Sequence, residues 1–424
     1  MALRICVFED GKFAQFDPLT SLRPMYTLRA GILPLFRRAE RFFENPDIAL
    51  VSREQVAALL AEQFKEYPVN IIKREKGSDV LFLNGRVRDF GDLPRLTKEA
   101  RLSTVFKHDG ETVAILFKRE SMGTVSALAT PEIYVAAYQN EASEFPDFNT
   151  SATMYSHLWE IVTDIESEIA ADFTYLKSTS SPGENTRVYQ GAYLINKENI
   201  YLGNDVEVAP LSLIDASKGP VYIGANTRVE SHAAIYGPCF IGANSVVLAG
   251  KIAASSIGHT CRVGGEVEES VFHAYVNKYH AGFIGHSYVG PWVNFGAMTT
   301  NSDLKNNYSS IRSSVNGQSI DTGSQKVGSF IGDHTKFGIG TLLNTGINIG
   351  ICCNIFGGGL TVDKEVAAFS WGNSGTYRKF ALDKALETAR VVAERRNAVF
   401  SNRESDLLQA INRGAVDSAG VITV

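Results

Sequence analysis

Between Tyr275 and Tyr308 the chain reads YVNKYHAGFIGHSYVGPWVNFGAMTTNSDLKNNY. Lys278, His280, His286, Asn294, Asn301, Lys305, Asn307 and Tyr308 fall within that short span. A histidine titrates near neutrality, so His280 suits a general base that takes a proton from an attacking group. The competing reading of a single histidine is a surface or capping residue. The crowd of amides and bases around it favours chemistry, because a structural surface has little use for them. Far upstream, Arg23 and Arg29 offer cations for a triphosphate or a sugar phosphate, with plain surface arginines as the alternative.

The elements that would position the first group are repeats. Ile223, Val229, Ile235, Ile241 and Val247 are spaced by six, and so are Ile331, Phe337, Leu343, Ile349 and Ile355. Glycine follows the aliphatic residue at Gly224, Gly242, Gly332 and Gly350. Six-residue spacing predicts a left-handed parallel β-helix: each hexad makes one flat strand and one corner, the aliphatic residue points inward, and the small residue allows the corner. Such glycine density would cost an α-helix about 1 kcal/mol per residue relative to alanine. The hexads run from about Val221 to about Gly359, within a domain placed at 186–377. Ser270–Arg312 breaks the strict hexad, and such interruptions are where binding segments are inserted. An amphipathic helix is expected from Arg378 to about Asn397, within a C-terminal helix and tail at 378–424, the last residues frayed.

The second group belongs to a different architecture. Leu3–Phe8, Ile48–Val51, Val69–Ile72, Val80–Leu83 and Val113–Phe117 read as strands. Between them, Leu28, Ile32, Leu35, Phe36, Ala39, Phe42 and Phe43 share a helical face, and Val56, Leu59, Leu60 and Phe64 share another. This alternation predicts a mostly parallel α/β sheet, Rossmann-like, over 1–185. Residues 156–172 read as helical and Ser178–Asn185 as a linker.

Composition narrows the partners. A net charge of -5 argues against nucleic acid as a partner. No run of 18 apolar residues predicts a membrane span, and the early Glu9 and Asp10 argue against a secretory signal. Five cysteines without CxxC spacing predict reduced thiols and a cytoplasmic location.

The second half resembles the acetyltransferase half of the GlmU family, whose members make UDP-N-acetylglucosamine. The residues are Lys278-Tyr279-His280, Phe283, Ile284-Gly285, Val293-Asn294-Phe295-Gly296-Ala297 and Asn307-Tyr308, with Phe283 where the better-known bacterial branch has tyrosine. The resemblance implies that His280 deprotonates the amino group of an amino-sugar 1-phosphate, which attacks acetyl-CoA. It implies sugar-phosphate contacts from Lys278, Asn294, Asn301, Lys305, Asn307 and Tyr308. Acetyl-CoA would lie along Ala297, Gly357 and Gly358, and the β-helix would form a homotrimer. The first half, through Phe8-Glu9-Asp10-Gly11 and PLTSLRPMYTLRAGIL, resembles a sugar-1-phosphate nucleotidyltransferase of the family's divergent branch. By that resemblance Asp10, Gly11, Arg23, Arg29, Asn84 and Gly85 would bind the NTP, UTP being the expected one, with Mg2+. The turn where such enzymes place a magnesium carboxylate is Leu83-Asn84-Gly85-Arg86 here. Arginine cannot ligate magnesium, so either Asp89 or Asp92 substitutes from the same loop or the metal chemistry is lost or rearranged.

Overall fold

A computed structural model describes residues 3–71, 79–118, 142–179, 181 and 183–414. Ile72, parts of the 178–185 segment and the last ten residues lie outside the described residues. The chain divides into two compact units: Met1–Ala14, Leu22–Leu28 and Pro34–Ser156 form the first; Gln15–Ser21, Arg29–Leu33 and His157–Val424 form the second.

The first unit is built on a six-stranded sheet. Its order is Asp47–Val51, Arg4–Phe8, Val80–Asn84, Glu111–Phe117, Thr104–His108, Asp147–Asn149. Arg4–Phe8 runs parallel to both neighbours, whereas Glu111–Phe117 is antiparallel to both of its own. The sheet is therefore mixed. Strict alternation sets one face: Cys6, Phe8, Ala49, Val51, Val80, Phe82, Ile115 and Phe117 pack into one core cluster. Glu54–Gln63 is the predicted helix, burying Val56, Leu59 and Leu60. The predicted helix over Leu28–Phe43 is a correction: only Leu35–Arg41 is helical, as a 3₁₀ run. Pro34 keeps Leu33 out of the helical region and supplies no N–H, so the turn starts after it. Val69 makes only an isolated bridge to Leu50.

The second unit is a β-solenoid of about ten turns. Strands stack in parallel along its walls, one of them in the order Ile200–Leu202, Val221–Ile223, Cys239–Ile241, Ser256–Ile257, Val271–Phe272, Tyr288–Val289, Ser329–Ile331, Ile347–Ile349, Glu365–Val366. Both predicted hexad series point into its core. The turns are not uniform, however. Register partners lie 18 residues apart from Val221 to Cys239, but 16 from Phe240 to Ser256 and 15 from Ser256 to Val271. The hexad thus fails earlier than Ser270, where the ladder shifts register between Val247 and Gly250. Turns are tightened at Gly250, Gly265 and Gly282, all at positive φ. Further on, partners stand 42 residues apart from Tyr288 to Phe330 and 18 again from Phe330 to Asn348. The extra chain is an excursion carrying an antiparallel hairpin, Arg312–Val315 with Gln318–Asp321.

Two helices, Leu158–Thr163 and Ile165–Thr179, belong to this unit. Asp172 of the second accepts the backbone N–H groups of Ile32 (2.8 Å) and Leu33 (2.9 Å), tying that segment down. The expected C-terminal helix spans Leu382–Glu394. Beyond it, Asn402–Asn412 forms a second helix that the periodicity did not single out, and the last residues, expected to fray, lie outside the described ones. Ser401 caps this second helix by accepting the Glu404 N–H, and Leu407, Leu408 and Ile411 are buried. No helix among the described residues is long and apolar enough to cross a membrane.

Candidate functional site

His280 lies on the short loop between Asn277–Lys278 and Phe283–Gly285. Its ring is exposed and meets Tyr279 edge-on, at 5.2 Å between centroids. Gly282 makes the turn possible. Its φ is +128°, and a Cβ there would stand 2.2 Å from the Thr299 carbonyl oxygen. Gly282→Ala should therefore destabilise the protein by more than about 1 kcal/mol and displace the His280 loop. A urea midpoint unchanged from the parent protein would refute this.

Lys278 holds the loop from beneath. It is buried, and its ammonium donates to the carbonyls of Gly264 (2.7 Å) and His280 (2.9 Å). Burial pushes its pKa down to about 8, with Glu266 opposing. In this arrangement the Lys278 ammonium, expected to meet a sugar phosphate, is engaged by two backbone carbonyls, one of them that of His280. Asn301 is likewise buried: its amide accepts the Gly285 N–H (2.8 Å) and donates to the Gly285 carbonyl (3.0 Å). Both side chains are spent inside the scaffold.

A cavity of about 540 Å³ opens beside His280, and Asn294 lines it. Asn294 accepts a 2.8 Å hydrogen bond from Asn277, one turn away. Tyr275 and Trp292 stack at 4.0 Å on another side of the same cavity. The helix Leu382–Glu394 contributes Thr388, Val391 and Val392. Lys305, Asn307 and Tyr308 sit instead on the excursion. Lys305 donates to the Ser310 carbonyl (2.6 Å), Asn307 accepts from Ser309, and Tyr308 is exposed at positive φ. Within one chain they do not line the cavity. Ala297 uses its carbonyl in the ladder, accepting from Gly340 (2.8 Å), whereas Gly357 and Gly358 form an exposed run of positive-φ residues.

His286 points to neither site. It is buried between Asp303 (2.7 Å at Nδ1) and Glu269 (2.9 Å at Nε2). Burial pulls its pKa down, but the two carboxylates more than offset this and hold it at about 9. A pKa raised on folding stabilises the protein below the unfolded value, near 6.5, and that contribution fades as pH rises through 9. Stability should therefore fall between about pH 6.5 and 9, and His286→Gln should flatten that part of the pH–stability curve. An unchanged slope in the variant would count against the pairing.

In the first unit, Asp10, Asn84, Gly85 and Arg86 do converge. Gly85 N–H donates to the Phe8 carbonyl (2.8 Å), and a Cβ on Gly85 would stand 2.6 Å from Tyr26 Cβ. Asn84 donates to Asp10 (2.9 Å) and accepts the Arg86 N–H (3.0 Å). Arg86 is buried and grips Asp10 through Nε (3.0 Å) and Nη2 (2.7 Å), Glu111 through Nη2 (2.6 Å) and the Tyr155 carbonyl through Nη1 (2.8 Å). Lys12 pairs with the same Glu111. Burial disfavours the Arg86 charge, and the two carboxylates outweigh that cost. Gly11 opens the following turn, where a Cβ would meet nothing within 4 Å. Next to this network Glu9 is buried against Arg53 (2.6 Å), which lies 4.3 Å from the Phe13 ring.

The remaining cations are drawn into packing. Arg23 is buried. Arg29 groups with the solenoid, where its guanidinium lies 5.1 Å from the Phe240 ring and donates to the Ile32 carbonyl. Magnesium does not fit these residues. Asp10 is saturated by Arg86 and Asn84, and Asp89 accepts the Gly91 N–H (3.0 Å) in its own turn. Asp92 is held by Thr150 and Ser151. Among the described residues no three His, Cys, Asp or Glu side chains gather to hold a metal.

Among known proteins, a sugar nucleotidyl transferase family model matches residues 5–181. A bifunctional sugar-1-phosphate nucleotidylyltransferase/acetyltransferase of Sulfurisphaera tokodaii is 34% identical over 101 residues, 24% of this chain and 25% of that protein. The chain thus spans about a quarter of the length of that curated relative. Among solved structures, a Bacillus cereus protein assigned as an acetyltransferase aligns over 52% of this chain and 99% of its own, at 12% identity and a TM-score of 0.27. The Arabidopsis UDP-N-acetylglucosamine acyltransferase aligns over 57% and 94%, at 10% identity and a TM-score of 0.19.

Proposed function

From a chain that is GlmU-like, with a sugar nucleotidyl transferase domain over 5–181, we propose a bifunctional enzyme that acetylates an amino-sugar 1-phosphate and transfers a nucleotidyl group to a sugar 1-phosphate. The observation that carries the first activity is the cavity shared by His280, Asn277 and Asn294. His280 takes a proton from the sugar amine. The amine then attacks the acetyl-CoA thioester carbon, an amide forms, and the CoA thiolate leaves. Lys278, bonded to the His280 carbonyl, keeps the base in place. Asn294 orients the sugar, and the exposed Gly357–Gly358 backbone faces acetyl-CoA.

In the second activity a sugar-phosphate oxygen attacks the α-phosphorus of an NTP, with UTP the first candidate, and pyrophosphate leaves. Asp10, Gly11 and the Asn84-Gly85 turn shape the nucleotide end, Arg86 holds that turn and Asp10 in place, and the half-exposed Lys12 brings positive charge to it. UDP-N-acetylglucosamine is the product expected if both steps serve one pathway.

Paired assays on the purified protein test the reading: pyrophosphate release with UTP, and thiol release from acetyl-CoA with glucosamine 1-phosphate. Silence in both would dismiss it. One observation favours a second reading, in which only acetyl transfer survives: Arg86 occupies the space beside Asp10 and leaves that carboxylate no free ligand position. Thiol release without pyrophosphate release from any NTP would select it.

We also propose a cytoplasmic homotrimer joined through the solenoid. Its support is a row of exposed apolar residues, Ile339, Leu342, Leu360 and Val362, on and beside the strands Thr341–Leu343 and Gly359–Thr361. Sedimentation equilibrium at the mass of one chain would refute it.

A further inference from the structure

The cavity beside His280 has an unusual charge for a chain of net charge -5. Arg262, Lys336, Arg395 and Arg396 line it, and no Asp or Glu does. Lys336 is accounted for, since it is buried and donates to the Trp292 carbonyl. The three arginines form no ion pair among the described residues. Arg396 makes a 3.3 Å hydrogen bond to Asn277, the amide that holds Asn294. Burial and the neighbouring charges of Arg262 and Arg395 work against its own charge. The carboxyl end of the helix Leu382–Glu394 attracts cations by its dipole, which explains Arg395 and Arg396. It does not explain Arg262, which lies on the solenoid strand Arg262–Glu268 and faces the same space.

We propose that Arg262, Arg395 and Arg396 form a phosphate-binding site, closed by the C-terminal helix, that seats a phosphate monoester beside His280. Guanidinium groups bind phosphate oxygens in a forked geometry, and a dianion relieves the repulsion among three of them. A volume of about 540 Å³ admits a sugar phosphate or part of a larger ligand. The proposal rests on the acetyl-transfer reading for its context, and the arginines supply the phosphate recognition that the buried Lys278 does not. Two sources carry the same chemistry: the acceptor's 1-phosphate and the phosphates of CoA.

Calorimetric titration of the full chain separates them. The probes are glucosamine 1-phosphate against glucosamine, and CoA against pantetheine. The double variant R395Q/R396Q should weaken glucosamine 1-phosphate by roughly 10–100-fold, the loss of one or two charge-assisted hydrogen bonds, and leave glucosamine unchanged. The same loss confined to CoA keeps the site and assigns it to the donor. If neither phosphate compound depends on the arginines, the site is overturned, even where thiol release still requires His280. Arginine-dependent phosphate binding without any acetyl transfer keeps the site and rejects the acetyl-transfer reading instead. Should the double variant lose its helical circular dichroism, R262Q, on the solenoid side, provides the same readout.

Discussion

His280→Ala should lower acetyl transfer by roughly 10²–10⁴-fold, the usual contribution of a positioned general base. Thiol release from acetyl-CoA measures it. The imidazole is exposed and its ring contact is Tyr279, so the folded state should be untouched. Nucleotidyl transfer by the same preparation should be unaffected, because the Asp10–Arg86 network belongs to the other compact unit. His280→Gln should behave like the alanine variant, since an amide occupies similar space without the basic nitrogen. Acetyl transfer at the parent rate in both variants would remove His280 from the chemistry.

Arg86→Met should cost about 3 kcal/mol or more of stability, and with it nucleotidyl transfer. The variant fills the space but leaves Asp10, one-fifth exposed, with Asn84 and the Lys12 N–H, and Glu111, partly solvated, with Lys12 alone. Removing one partner of a buried ion pair costs about 3–5 kcal/mol, and the exposure of the acids places this case at the lower end. The Tyr155 carbonyl loses a donor too. Arg86→Lys should recover only part of the loss, because a lysine cannot reach Asp10, Glu111 and Tyr155 with one ammonium. Urea unfolding followed by fluorescence reports the difference. A change below about 0.5 kcal/mol would mean that the network is ornamental to folding.

The sequence was most informative where one residue type had one possible use. Ile223 to Val247 and Ile331 to Ile355 repeat every six residues because a flat wall and a corner need that many, and every one is buried. Asn84, Gly85 and Asp10 were grouped through the family resemblance, and the structure brings them together because the apolar strands Arg4–Phe8 and Val80–Asn84 lie side by side. Lys278 was not. Nothing in a linear pattern distinguishes a lysine aimed at a substrate from one folded back onto two carbonyls one turn away. Leu28–Phe43 misled for another reason: its apolar spacing is helical, but Pro34 divides it and segment 29–33 is drawn to Asp172 of a distant helix. Arg395 and Arg396 stood outside the expected site because the apolar side of their helix is its stronger pattern. Two adjacent arginines at the carboxyl end of an amphipathic helix are what its dipole alone would favour, and Arg262, which shares their cavity, is distant in the sequence.

The excursion between Asn301 and Ser329 leaves no trace in the wall it interrupts. Tyr288 meets Phe330, and Asn294 meets Lys336, in the same parallel register that the later turns keep. Lys305, Asn307 and Tyr308 travel on that excursion, while Asn294 belongs to a wall strand and His280 to the short loop between two others. The excursion and the His280 loop are thus separate departures from one ladder, and a change of length in the excursion need not shift the register that carries His280.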